Sequence, residues 1–301
     1  MRSDYHRFLM ESFILCSLEL KFIHCIQRFR NPLFDQFFIW LDFFDRPAFF
    51  LMLIPGIWLI CGSKIGARLF YLLMASAFIN YILKQLFLSP RPFDLDPSVG
   101  IIHVSGYGFP SGAAQTVVLL SAFLLSLGKS NWRCFLVFGY VFLVSFSRVY
   151  LGLHFPIDIL GGWLVGLALW MLYKYICPLL ENLRPMILFL MSQLAVLPAF
   201  ILQDFIHPIY ICNLGIVTGL LGSYYCKLPW HPPIGYKECI LRAGIGILGA
   251  FFFFGSAIIL SISYSKVYFF LGTFLLGLWV SLIAPFICSK VFPMSRETKN
   301  A

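Results

Sequence analysis

The stretch RCFLVFGYVFLVSFSRVYLGLHFPID, residues 133–158, decides how this chain is read. From 133 to 151 it is apolar and long enough to cross about 30 Å of hydrocarbon. At the end of that run stand Ser147 and Arg148, and a short loop leads to His154 and Asp158. A charge at the centre of a bilayer costs at least about 2.5 kcal/mol. Arg148, His154 and Asp158 beside such a run therefore mark a functional site.

Outward from this stretch the same pattern recurs. The chain has 301 residues, 60% of them hydrophobic and 12% charged, with a mean hydropathy of +0.87. These values lie far from soluble globular composition. Apolar runs fall near 47–62, 67–88, 111–127, 133–151, 157–176, 186–202, 208–226, 240–262 and 267–291. The expectation is an all-α integral membrane protein, a helical bundle of about nine transmembrane spans. Residues 1–45 differ, because Glu11, Glu19, Lys21 and His24 interrupt the apolar pattern and leave no clean run for a signal peptide. They read as an amphipathic helix at the membrane interface. The domain reading is an amphipathic region at 1–45, a catalytic membrane core at 46–176 and an accessory four-span region at 177–301.

Charge placement sets the orientation. Beyond residue 46, Lys64, Arg68, Lys129, Arg133, Lys174, Arg184, Lys227, Lys237, Arg242, Lys290, Arg296 and Lys299 fall on one face, which should be cytoplasmic. Lys84, Arg91, Arg148 and Lys266 are the exceptions. The net charge of +9 is thus a matter of topology, and no nucleic-acid partner is implied. Lys84, Arg91 and Arg148 are kept where that rule disfavours them, on the face of His154 and Asp158. The nine cysteines show no metal-like spacing and read as small core residues.

Two further segments belong with the first. Residues 81–92 end a span with Lys84 about one turn inside the boundary and Arg91 just past it, and Pro90 and Pro92 stop the helix. Each cation has a plainer reading, Lys84 snorkelling to the headgroups and Arg91 as a loop charge. Gly108 to Ala113 then opens the third span. The amides of a helix start, with the Ser111 hydroxyl beside them, can hold an anion. His154 and Asp158 stand one helical turn apart, so the carboxylate can fix the imidazole tautomer and leave the other nitrogen as nucleophile or base. Two arginines, a lysine, helix-start amides and an oriented histidine point together to phosphate.

The pattern Lys84-x6-Arg91-Pro92, Pro110-Ser111-Gly112 and Ser147-Arg148-x5-His154-x3-Asp158 resembles the type 2 phosphatidic acid phosphatase family, over roughly residues 33–176. The resemblance implies a metal-independent membrane phosphatase with no cofactor, acting on lipid phosphates or diphosphates. His154 would form a phosphohistidine and Asp158 would support it. Lys84, Arg91, Ser111, Gly112 and Arg148 would hold the phosphoryl oxygens. The placement of Lys and Arg puts the expected site on the extracytoplasmic face, and the expected location is a bacterial-type inner membrane. A lipid phosphotransferase using a polyprenyl diphosphate donor, and a noncatalytic lipid-phosphate binder or transporter, stand as alternatives. Protein partners are not legible.

One position departs from the family. The histidine that follows Pro-Ser-Gly and protonates the leaving oxygen is Ala113 here. General acid catalysis contributes about 10² to 10⁴ in rate. Three accounts remain open: a deliberate inactivation, a binding protein that has lost part of the chemistry, or a substrate whose leaving group needs little protonation. A departing phosphate, with a relevant pKa of about 6, fits the last far better than an alkoxide, nearer about 15.7. His103 reads as a solvated loop histidine, and the Trp230-His231-Pro232-Pro233 loop and the Asp204–His207 turn as ordinary interfacial turns.

Overall fold

The computed structural model describes residues 17–128, 130–181, 207–263 and 266–293. Every regular element among them is a helix. Helix α1 covers 17–27, and α2 (Pro32–Leu41) runs into a 3₁₀ turn at Asp42–Asp45. Then come α3 (Pro47–Cys61), α4 (Ser63–Phe87), the short α5 (Pro92–Leu95), α6 (Gly112–Ser126), α7 (Asn131–Tyr150) and α8 (Pro156–Glu181). The C-terminal helices are α9 (His207–Tyr225), α10 (Gly235–Ser263), α11 (Lys266–Leu278) and α12 (Ala284–Val291), the last two joined by a π turn at Trp279–Ile283.

Five helical segments are long and apolar enough to span a membrane, and a sixth arises if Pro32–Asp45 and Pro47–Cys61, bent by 53°, count as one broken span. The expected nine are not reached among the described residues. The run at 186–202 lies outside them, and 111–127 forms a helix of 15 residues, about 22 Å long, short of the hydrocarbon thickness. Large apolar side chains such as Phe135 (77% exposed), Leu164 (68%) and Ile262 (81%) cover the outsides of the long helices. Lipid is the medium that makes such surfaces stable, since backbone polar groups are satisfied within each helix.

The chain packs as two compact units. One holds the described residues of 1–46 and 75–175, the other those of 47–74 and 176–301. The packing unit around the sequence motifs therefore differs from the range 46–176 expected for the core: α3 and the start of α4 pack with the C-terminal helices. Trp58, Leu59, Phe70, Ile216, Ala250, Leu276, Val280 and Ala284 form that second core. Gly246 lets α10 close on α3, because a Cβ there would meet Pro55 at 3.1 Å.

The N-terminal region also differs from a helix lying free at the interface. Ile23 is fully buried against Val99, Ala114, Val149, Phe155 and Ile159. Gln27 donates to the carbonyls of Val99 and Tyr150 at 2.8 and 2.7 Å, and Glu19 accepts from the Ile157 amide at 2.8 Å. The amphipathic pattern is real, and its apolar residues divide: Ile23 is buried against protein, while Leu18 (56% exposed) and Phe22 (52%) stay on the outer surface.

Candidate active site

All three motif segments lie in the first unit, and local chemistry places each one. Helix α4 ends at Phe87 because Leu88 adopts a left-handed conformation (φ 48°) and Pro90 and Pro92 follow. Helix α7 ends on Gly152, whose φ of +70° suits glycine, and a Cβ there would collide with the Val99 carbonyl oxygen. The turn folds back through bonds from the Leu153 and His154 amides to the Arg148 carbonyl, at 3.0 and 3.3 Å. Ser111 caps α6, accepting from the Ala114 amide at 3.4 Å, and its own amide donates to the Asp158 carbonyl at 3.0 Å. Gly112 and Ala113 occupy the first helical positions, whose amides have no intrahelical acceptor.

His154, 4% exposed, is the centre of the arrangement. Its Nε2 lies 3.2 Å from Arg91 Nη1, and its Nδ1 lies 3.4 Å from Asp158 Oδ2. Arg91 also donates to the carbonyls of Gly106 and Leu153, at 2.7 and 2.9 Å. Asp158 Oδ2 accepts from the Phe155 amide at 2.9 Å, while Oδ1 is buried with no hydrogen-bond partner. Beside a guanidinium, which only donates, Nε2 presents its lone pair, and Nδ1–H faces the carboxylate. Burial, reinforced by the Arg91, Lys84 and Arg148 charges, holds the imidazole pKa well below 6.5, against a weaker opposing bond to the Gly108 carbonyl. His154 is therefore neutral, the form in which a ring nitrogen is nucleophilic.

The remaining sequence candidates are placed as follows. Lys84 Nζ donates to the Tyr107 carbonyl at 2.6 Å, holding the loop that precedes α6. Ser111, Gly112 and Ala113 stand at the α6 terminus next to Asp158, with Ala113 only 2% exposed. Arg148 is 1% exposed and directed at the 3₁₀ turn: Nη1 pairs with Asp42 and lies 3.9 Å from Asp45, Nη2 donates to the Leu41 carbonyl, and Nε donates to Ser147. His103 is exposed, with its ring packed on Phe93.

Four residues of the site went unread in the sequence. Asp42 and Asp45 face Arg148 from the end of α2; two carboxylates inside the aromatic run 37–44 and its edge carry the same signal of costly charge that marked residues 147–158. Asn80 donates to the Pro110 carbonyl at 3.2 Å and to Gln115 Oε1 at 3.0 Å. Gln115, fully buried, donates in turn to the Ser76 carbonyl and hydroxyl at 2.9 and 2.7 Å. Asn80 lies one turn before Lys84 and Gln115 one turn after Ser111, so helical spacing from the motif residues points to both.

A bundle of membrane-spanning helices that buries a neutral histidine between the Asp158 carboxylate and the Arg91 guanidinium defines a class: integral membrane proteins with a buried polar cluster at the helix ends. Within it, residues 65–180 match the model of the PAP2 superfamily. It is similar to the undecaprenyl-diphosphatase of Sulfolobus acidocaldarius, 32% identical over 34% of this chain and 50% of that protein. It is likewise similar to phosphatidylglycerophosphatase B of Bacillus subtilis, 36% identical over 36% of this chain and 63% of that protein. The match thus spans about half to three-fifths of the length of these relatives. The crystal structure of Aquifex aeolicus LpxE aligns with 52% of this chain and 95% of its own, at 26% identity and a TM-score of 0.48.

Proposed function

We propose that this protein is a lipid phosphatase in which His154 attacks phosphorus through Nε2 and Asp158 stabilises the resulting imidazolium. The observation that carries this reading is the alignment of Asp158 Oδ2, the imidazole and Arg91 Nη1, at 3.4 and 3.2 Å on opposite ring nitrogens. A phosphoryl group held by Arg91 would lie beside the nucleophile, and donors fixed before the reaction stabilise charge that develops during it. Lys84, Arg148 and the amides of Gly112 and Ala113 supply further positive potential. The neutral state of His154 persists below pH 6.5, so its protonation limits the rate only at more acidic pH.

The substrate class is a lipid phosphate or diphosphate. Ala113 favours the diphosphate, because a departing phosphate needs less protonation than an alkoxide. The similarity to an undecaprenyl-diphosphatase and a phosphatidylglycerophosphatase supports both classes. The excess of Lys and Arg on the opposite loops supports a site on the extracytoplasmic face of an inner membrane.

The test uses the full chain in vesicles with a polyprenyl diphosphate and phosphatidic acid side by side. The wild type should release phosphate faster from the diphosphate and form acid-labile phosphohistidine. His154→Ala should abolish both. Phosphate binding without phosphohistidine would make the chain a binding protein, and equal or reversed substrate rates would remove the diphosphate preference.

A further inference from the structure

Asp45 is the one site carboxylate that is both close to the cations and open to solvent. Its side chain is 40% exposed and its Oδ2 lies 3.9 Å from Arg148 Nη1, whereas Asp42 and Asp158 are buried. Lys84 from α4, Arg91 from the loop after it and Arg148 from α7 all act on Asp45 electrostatically. Asp42 faces it from its own turn, Arg46 is tied to Asp42 at 2.7 Å, and Tyr140 of α7 is the remaining titratable neighbour. Asp45 therefore adds a solvent-open carboxylate to the field of the three cations.

A fixed carboxylate in such a pocket repels a doubly charged phosphoryl group more than a singly charged one, and can accept a hydrogen bond only from the protonated form. We propose that Asp45 makes the site selective for the monoanionic phosphoryl group, whose own proton serves the leaving oxygen that Ala113 cannot protonate. The inference rests on the phosphatase reading above.

For the phosphomonoester members of the substrate class, the first step then balances without an added acid. His154 Nε2 bonds to phosphorus as the bond from phosphorus to the lipid oxygen breaks, with its electron pair moving to that oxygen. The proton of the P–OH group passes to the same oxygen, releasing a neutral alcohol. The phosphoryl group remains on a ring whose Nδ1–H faces Asp158, and the net charge of minus one is conserved. Water attacking phosphorus then regenerates neutral His154 and releases dihydrogen phosphate. Because His154 stays neutral below pH 6.5, the nucleophile and the monoanion coexist in mildly acidic solution.

The experiment measures kcat/KM between pH 5.5 and 7.5 for a short-chain phosphatidic acid, using the wild type, Asp45→Asn and Asp45→Glu. Over that range the monoanion of a phosphomonoester with a second pKa of about 6 becomes roughly 25-fold scarcer. The wild type and Asp45→Glu should lose kcat/KM by about that factor, and Asp45→Asn should do the same, because the leaving oxygen still needs the substrate's own proton; the effect of Asp45 is read in binding. Binding of inorganic phosphate, followed over the same pH range, gives a readout independent of turnover: the wild type should discriminate against the dianion and Asp45→Asn should not. A flat wild-type kcat/KM profile, or inorganic-phosphate binding by Asp45→Asn that keeps the wild-type discrimination against the dianion, would each overturn the proposal. Failure of the phosphatase reading is separate, because it appears as turnover that survives His154→Ala.

Discussion

Arg91 and Arg148 carry the same charge and are both buried, yet the structure uses them differently. Arg91 meets backbone carbonyls and His154, so its charge is balanced by dipoles and remains available to an anion. Arg148 is paired with Asp42 and flanked by Asp45. A charge buried this deeply is stable only with a partner, and the spacing of residues 147–158 cannot name a partner more than a hundred positions away. Asn80 is an equally specific case. It holds the Pro110 carbonyl and the Gln115 side chain, and so fixes the turn that carries Ser111 and Gly112. An Asn80→Ala variant would leave two buried acceptors without donors, at a cost of about 1–3 kcal/mol each. Steady-state kinetics should show kcat lowered by about tenfold with KM nearly constant; a change confined to thermal stability would make Asn80 merely structural.

At the scale of helices, the site depends on how closely α8 approaches α6. A Cβ on Gly162 would meet the Ser111 carbonyl oxygen at 2.5 Å, and one on Gly166 the Gln115 carbonyl oxygen at 2.6 Å. Small residues at such spacing let backbones come together where lipid supplies no hydrophobic drive. Gly162→Leu should therefore separate the α6 terminus from Asp158 and remove most phosphohistidine formation, while a leucine at lipid-facing Gly139, where a Cβ meets nothing within 4 Å, should leave it intact. Equal labelling in the two variants would exclude the helix contact as a determinant. Helix α1 adds a second support, since Glu19 and Gln27 bond α8, α7 and the Val99 turn at once. Its sequence shows the amphipathic pattern but not the surface that the apolar face meets, because a hydrophobic face has the same periodicity against lipid and against protein.

For the whole molecule, the distribution of Lys and Arg predicts that the loop joining α4 to α6 faces away from the cytoplasm. In a background without cysteine, Ser98→Cys, on that loop, should react with a membrane-impermeant maleimide in right-side-out vesicles, whereas Ser63→Cys, at the start of α4, should react only after permeabilisation. The reverse pattern would invert the proposed orientation. By itself the sequence determined the helical membrane class and marked the three motif segments with His154, Asp158 and Arg91 as candidates, because hydropathy and fixed spacing are local properties of a chain. Only the tertiary structure decided that α3 packs with the C-terminal helices, that α1 packs through Ile23 and Gln27 against the segments that carry the motifs, and that Asp42 and Asp45 meet the cations. These outcomes depend on which distant surfaces exclude solvent together and on which remote group neutralises a buried charge, and no local pattern encodes either.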